Sequence, residues 1–214
     1  MTKRLVVVTA GLGKPSSTRL LADRLATATG RRAEADIQVI ELRELANDIA
    51  QNMVTGFPSP RLRDAVDAVT SADGLIAVTP VFTGSYSGLF KSFFDVIDKE
   101  ALAGLPVLIA ATGGTARHSL VLEHAMRPLF AYLRAVVVPT AVYAASEDWA
   151  SDGAGALAGR VDRAASELAA LLGARPDRPL GDSNGPEEPG RPADVDDMAV
   201  VPFAQQLAAL AVEG

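Results

Sequence analysis

Short aliphatic runs alternate along this chain with longer stretches in which apolar residues recur every three to four positions. A parallel sheet covered on both faces by helices produces that alternation. Its strands are apolar throughout, and its helices are apolar on one side. The pattern predicts a strand over Arg4–Thr9, a helix over Ser17–Ala28 with Leu20, Leu21 and Leu25 on one face, and a strand over Ile37–Leu42. Between Arg43 and Pro60 the spacing is irregular, with a weak helical turn from Leu45 to Met53 and then Gly56-Phe57-Pro58. A helix over Arg61–Thr70 carries Leu62, Ala65, Val66 and Val69 at helical spacing, and a strand over Gly74–Thr79 leads into a helix over Gly88–Ile97. A strand over Pro106–Ala111, a helical region over Ser119–Leu133, a strand over Ala135–Val142 and a helix over Ala154–Leu172 complete the series.

Five β–α units of this size imply a three-layer α/β/α sandwich around a five-stranded parallel sheet of order 2-1-3-4-5, the flavodoxin-like arrangement. Residues 1–173 are expected to form that domain. Beyond it, Arg175 to Pro192 contains five prolines and three glycines and almost nothing to bury, so residues 174–197 read as a linker. Residues 198–214 regain apolar character, with Phe203, Leu207 and Leu210 on one stripe. A lone helix of that length is marginal in water, so this segment is expected to dock on its own domain or on a partner subunit.

Composition narrows the possible roles. Hydrophobic residues make up 49% and aromatic residues 5%, so the core must be aliphatic and rich in alanine. The net charge of −6, with both signs interspersed, argues against nucleic acid as a partner, and no basic run suggests a membrane surface. With no cysteine, thiol catalysis, disulfides and thiolate metal sites are excluded, and no metal site is expected. The first apolar run, Leu5 to Val8, is far too short for a signal peptide or a span, which leaves a soluble cytoplasmic protein as the expectation.

Candidate chemistry concentrates in Ala72–Asp98. A buried strand there ends in Thr79-Pro80 and passes through a loop of small, hydroxyl and aromatic residues into a helix. Ligands of open parallel sheets bind outside the carboxyl ends of the strands. A flat ligand at this place would meet Pro80, Phe82, Ser85 and Tyr86. The first β–α turn, Ala10-Gly11-Leu12-Gly13-Lys14-Pro15-Ser16-Ser17-Thr18-Arg19, combines glycines with hydroxyls at a helix start. Those are the means by which backbone amides surround a phosphate. The turn is neither a dinucleotide fingerprint nor a Walker loop. Ser16, Ser17 and Thr18 are its expected hydroxyl donors, with Lys14 and Arg19 as charge partners, although Ser16 or Ser17 could equally cap the helix.

The segment TPVFTGSYSGLFKSFFD resembles the ring-binding segment of NAD(P)H-dependent FMN reductases, which carry P-x-[YF]-x-x-S-x-[SP]-x-x-[LF]-K-x-x-x-D. The Gly11–Arg19 loop is similar to that family's phosphate loop, and Thr112-Gly113-Gly114 to its glycine turn after the fourth strand. GLFKSFFDVID, GGTARHSL, MRPLFAYLRA and VVPTAVYAASEDW further resemble a narrower group, the actinobacterial FMN reductases thought to supply luciferase-like monooxygenases. The resemblance implies FMN and NAD(P)H as cofactors. It implies a phosphate held by Gly11, Ser16, Ser17, Thr18 and Arg19, and a ring edge along Pro80, Val81, Phe82, Thr83, Gly84, Ser85 and Tyr86. Thr112, Gly113 and Gly114 would close over the ring, and His118 either touches the flavin or nicotinamide or caps the next helix. Hydride transfer between the two cofactors needs positioning rather than a side-chain acid or base, so no catalytic side chain is named.

Other residues have simpler readings. Phe90, Phe93 and Phe94 read as core or dimer packing, and Lys91 and Asp95 as a surface ion pair. His124 reads as structural, Met126 and Met198 as filler, and Trp149 as packing in preference to a ring stacked across a dimer. Arg117, Arg127 and Arg134 are candidates for the extra phosphate of NADPH. Beside a reductase releasing flavin to a monooxygenase stand a flavodoxin-type electron carrier, a quinone or azo-compound reductase, and a flavin-sensing regulator. The modest charge and small open loops favour the reductase. The resemblance also implies a homodimer or homotetramer.

Overall fold

A computed structural model of the chain describes residues 2–174. The sheet is built from β1 (Lys3–Thr9), β2 (Ala35–Glu41), β3 (Gly74–Phe82), β4 (Ser85–Tyr86), β5 (Pro106–Gly113), β6 (Val136–Val137) and β7 (Val142–Ala145). The helices are α1 (Ser17–Gly30), α2 (Ala46–Thr55), α3 (Pro60–Thr70), α4 (Gly88–Asp95), α5 (Arg127–Tyr132) and α6 (Ser151–Ala174). Strands run in the order β2-β1-β3-β5, and both β6 and β7 pair with the far edge of β5. All these pairings are parallel. The expected 2-1-3-4-5 order is therefore present, with β6 and β7 together filling the fifth place. The proposed linker and docking segment lie outside the described residues, except that Ala174 ends α6.

Each central strand sends alternate side chains into two cores. Val6, Val8, Leu75, Ala77, Val107 and Ile109 face the layer that carries α2 to α5. Phe90, Phe93, Phe94 and Phe130 form an aromatic cluster there, with Phe94 and Phe130 ring centroids 4.9 Å apart. Leu5, Val7, Ile76, Val78, Leu108 and Ala110 face α1 and α6. That second core is the alanine-rich one: Ala22, Ala26, Ala164 and Ala165 let the two helices approach each other and the sheet. Leu20, expected on the buried face of α1, is 46% exposed, and the buried stripe runs through Thr18, Leu21, Ala22 and Leu25 instead.

Helix starts follow their caps. Ser16, Ser59 and Ser87 each accept a hydrogen bond from the amide three residues on, which satisfies one of the free donors of the first turn. The irregular connection after β2 contains a short 3₁₀ turn, Leu42–Glu44, and the ten-residue helix α2, which Gly56 ends at φ +74°.

Three further expectations need correction. The loop after the third strand is a β-hairpin: β3 runs on to Phe82, turns through Thr83 (φ +50°) and Gly84 (φ +79°), and returns as β4. The strand expected over Ala135–Val142 is split, because Pro139 has no N–H to donate and the next amide, Thr140 N–H, is taken by Glu167 of α6 at 2.7 Å. The helix expected over Ser119–Leu133 divides into a π-helical turn at Leu122–Met126 and α5, with a separate 3₁₀ turn at Ala116–His118 ahead of it. Pro128, in the first turn of α5, sits where its missing N–H costs least.

Candidate functional site

The carboxyl ends of β1, β3, β5 and β7 come level at one edge of the sheet, with Thr9 opposite Val78, Pro80 opposite Thr112, and Gly113 opposite Ala145. The loops leaving these strands enclose an open cleft of about 310 Å³. Its walls are Leu12, Gly13 and Pro15 to Thr18 from the first loop, Pro80 to Phe82 from the third, Thr112 to Gly114 from the fourth, and Ser146 after β7.

The first loop owes its shape to close packing. A side chain at Gly11 would place its Cβ 2.1 Å from the Ser16 hydroxyl, so that position has no room for one. Ser16 Oγ accepts the Arg19 amide at 3.2 Å, which makes it the cap of α1. Thr18 is buried, and its hydroxyl shares a 2.8 Å hydrogen bond with that of Thr112. This bond joins the first loop to the fourth. Ser17 remains exposed on the cleft wall. The open N-terminus of α1 has no acidic residue in its first turn, so its partial positive charge is uncompensated by carboxylates there. Arg19 does not line the cleft. It pairs with Asp23 and Glu41, and the hydrogen bond to Asp23 is the first reason its pKa is raised. Lys14 lies in the outer hollow of the loop.

On the opposite wall Phe82 is 46% exposed and presents an apolar ring to the cleft. Thr79 fixes the base of the hairpin: its hydroxyl accepts the Ser87 amide at 3.0 Å and donates to the Pro80 carbonyl at 2.9 Å. Thr83, Gly84 and Ser85 form the turn and return of the hairpin and do not line the cleft. Tyr86 packs near Phe90 and opens onto a second, larger cavity of about 650 Å³ between α4 and α5. That larger cavity shares no lining residue with the cleft.

The fourth loop is shaped by Tyr143 beneath it. The Tyr143 hydroxyl donates to the Thr115 carbonyl at 2.9 Å, and a Cβ on Gly113 would lie 2.1 Å from that hydroxyl. Burial, then Asp148 and Glu147, push the Tyr143 pKa up, so it keeps its proton and its donor role. Gly114 is open to the cleft. Arg117 and His118 are exposed on the following 3₁₀ turn and do not line the cleft.

Among the alternative readings, Phe90, Phe93 and Phe94 are core, and Lys91 pairs with Asp95. Trp149 packs against the α1–α6 core with the Arg24 guanidinium over its ring at 4.8 Å. His124, read as structural, is exposed and lines the larger cavity. Arg127 is spent on Glu123 and on the carbonyls of Val138 and Pro139. Leu12, Gly13 and Pro15 belong to the loop read from the sequence as phosphate-binding without being singled out there, and Ser146 is absent from that reading. Ser146 was within reach, since it directly follows the last strand at the ligand-binding edge.

A family model described as NADPH-dependent FMN reductase matches residues 3–150. The chain belongs to the NADPH-dependent FMN reductase family. It is 39% identical over 174 residues to an FMN reductase (NADPH) of Pseudomonas aeruginosa, covering 80% of this chain and 94% of that protein. It is 36% identical over 172 residues to the NADH-dependent FMN reductase SfnE of Pseudomonas putida, covering 79% and 92%. A crystal structure of an oxidoreductase from Corynebacterium diphtheriae superposes with a TM-score of 0.80 at 45% identity, over 82% of this chain and 99% of that one. The apo form of the NADH:FMN oxidoreductase EmoB superposes with a TM-score of 0.66 at 29% identity, over 77% and 89%. As a family member the chain is a flavoprotein oxidoreductase that uses FMN and a reduced nicotinamide nucleotide.

The cleft fits FMN on its own terms. It offers a phosphate the open start of α1 and the Ser17 hydroxyl, a flat ring the exposed face of Phe82, and ring heteroatoms the backbone amides of a glycine turn.

Proposed function

We propose that this cleft binds FMN with its phosphate in the first loop and its ring between Pro80–Phe82 and Gly113–Gly114. The hairpin residues Thr83 to Tyr86 hold the ring-side wall in place. The reading is carried by one observation: three separately predicted loops, the first and fourth of them joined by the Thr18–Thr112 hydrogen bond, line a single cleft at the ligand-binding edge.

Bound there, FMN would supply the two-electron chemistry. The chain's own part is to bind and orient. The amides and Ser17 of the first loop neutralise the phosphate, the glycine turn lets backbone come near the ring without side-chain clash, and Phe82 excludes water from one side. Thr18 and Thr112 satisfy each other and so keep the two walls at fixed separation.

The same proposal extends to the physiological role. The cleft is open, which favours a flavin that exchanges, so that reduced flavin passes to a separate flavin-dependent monooxygenase, the role thought to belong to the actinobacterial group that the sequence resembles. Exposed Met53, Val54 and Phe57 at the end of α2, and Tyr132 beside the larger cavity, support self-association into a dimer or tetramer. We place the protein in the cytoplasm, where reduced nicotinamide nucleotides are available; among the described residues no helix is long and apolar enough to cross a membrane.

Anaerobic stopped-flow absorbance in the flavin band, with added FMN and NADH or NADPH in separate runs, tests the activity. Rapid bleaching of many equivalents of FMN is the expected result, and it names the donor. Tight FMN binding without nucleotide-dependent bleaching would point to an electron carrier. Faster turnover with a quinone or azo compound than with FMN would move the physiological acceptor there. Absence of FMN binding would remove the assignment of the cleft.

A further inference from the structure

Arg43 stands outside every motif of the cleft, in the 3₁₀ turn that follows β2. Its Nη1 nevertheless donates to the carbonyl of Gly13, thirty residues earlier in the first loop, at 3.0 Å. Its Nη2 pairs with Glu41, and the other Glu41 oxygen takes Nη1 of Arg19 from α1. Arg19 in turn binds Asp23 at 2.8 Å. Two guanidinium groups and two carboxylates cancel here, so the cluster presents a phosphate with no net charge. What it provides is a fixed position for the loop.

The geometry of the peptide group says which way that position faces. In a trans peptide the carbonyl and the following N–H point to opposite sides of the chain. Holding the Gly13 carbonyl toward Arg43 therefore turns the Lys14 N–H away from Arg43. Gly13, Pro15 and Ser16 line both the cleft and a hollow whose lining also includes Arg43, Arg19 and Asp23, so this stretch of the loop stands between the two. Arg43 is also retained at a cost: its side chain is 19% exposed, and its Nε is buried without a partner. An arginine with only a solvent role would turn outward and hydrate that N–H.

We infer that Arg43 is a positioning residue for flavin phosphate recognition, acting through the Gly13 carbonyl to hold the amides of the first loop toward the cleft. The inference rests on the reading that this loop takes the phosphate of FMN. Riboflavin, which lacks only that phosphate, separates the two. Dissociation constants for FMN and riboflavin are to be measured by flavin-fluorescence titration of the full chain, for the wild type, Arg43→Met and Arg43→Lys. Arg43→Met should weaken FMN by about tenfold, the loss expected for one hydrogen bond to a charged group, and leave riboflavin within about twofold. Arg43→Lys keeps the charge but lacks the two-pronged fork, and should fall between Arg43→Met and the wild type. Unchanged FMN affinity, or equal weakening of both ligands, would overturn the inference. A wild type that binds FMN no better than riboflavin would instead remove the phosphate reading, and the inference with it. Should Arg43→Met not fold, Arg43→Lys decides alone, and an FMN-to-riboflavin ratio equal to that of the wild type refutes the role.

Discussion

Replacing Gly113 by alanine sets a single methyl group against a single hydroxyl. The new Cβ would lie 2.1 Å from the Tyr143 Oη and 3.2 Å from its Cζ, well inside contact distance. Tyr143 is 6% exposed and packed in the core, so its ring cannot swing away freely. Overpacking of this kind costs about 1–3 kcal/mol, and losing the hydrogen bond to Thr115 adds about 1 kcal/mol, so Gly113→Ala should cost about 2–4 kcal/mol. Tyr143→Phe alone removes the hydroxyl and should cost about 1 kcal/mol. The double variant removes the atom that the methyl group meets, leaving only the milder approach to Cζ. It should therefore be more stable than the sum of the single effects by about 1–2 kcal/mol. Urea unfolding of the flavin-free chain, followed by far-UV circular dichroism, measures all three. Strict additivity would refute the argument, because it would mean that the methyl group and the hydroxyl do not meet. The distinction bears on function, since the same glycine forms part of the cleft wall.

Thr83 holds φ +50° in the hairpin turn, a region that suits asparagine or glycine better than a β-branched residue. Thr83→Asn should stabilise the domain by about 0.5–1 kcal/mol in thermal or urea unfolding, and a loss of stability would show that the Thr83 side chain has a use not seen here. Glu167 accepts both the Thr140 amide and its hydroxyl, each at 2.7 Å. Glu167→Ala should cost about 2–3 kcal/mol by stranding them, with Glu167→Gln in between, and an effect under about 0.5 kcal/mol in the same unfolding assay would contradict the bridging role. The Glu123 carboxyl is held below its ordinary pKa, first by its hydrogen bond to Arg127. A depressed folded value means its contribution is complete above the ordinary carboxylate range and is lost as pH falls through the depressed value. Because Glu123 is 47% exposed the effect is small, but Glu123→Gln should flatten the acid side of the stability–pH curve, and an unchanged slope would exclude the pair as a contributor.

The order of the sheet was legible because each buried strand is a continuous apolar run bounded by polar turns. What escaped depended on features too short or too indirect to show in periodicity. A two-residue return strand carries no alternation, and Thr83-Gly84 lacks the asparagine or aspartate that usually marks such a turn, so the hairpin read as a loop. Pro139 was visible, yet the aliphatic residues around it outweighed it, and the carboxylate that satisfies the break comes from a helix far along the chain. The phosphate loop was recognisable from its glycines and hydroxyls, but the division of labour within it was not. Ser16 caps α1, Thr18 turns inward to Thr112, and Arg19 is held on the outer side, leaving Ser17 as the exposed hydroxyl on the wall. Partners brought from other strands decide those roles, and sequence spacing does not contain them.

The pairing of α1 with α6 has a consequence during synthesis. Leu21 and Leu25 emerge early, while Leu157, Val161, Leu168 and Leu172, which complete the same core, are the last part of the domain to appear. At a translation rate of about 5–20 residues per second, that apolar face waits on the order of ten seconds for its cover. Nascent chains released before α6 should therefore be captured by chaperones or aggregate, whereas the opposite core, closed by α2 to α5, can form while the ribosome is still at work.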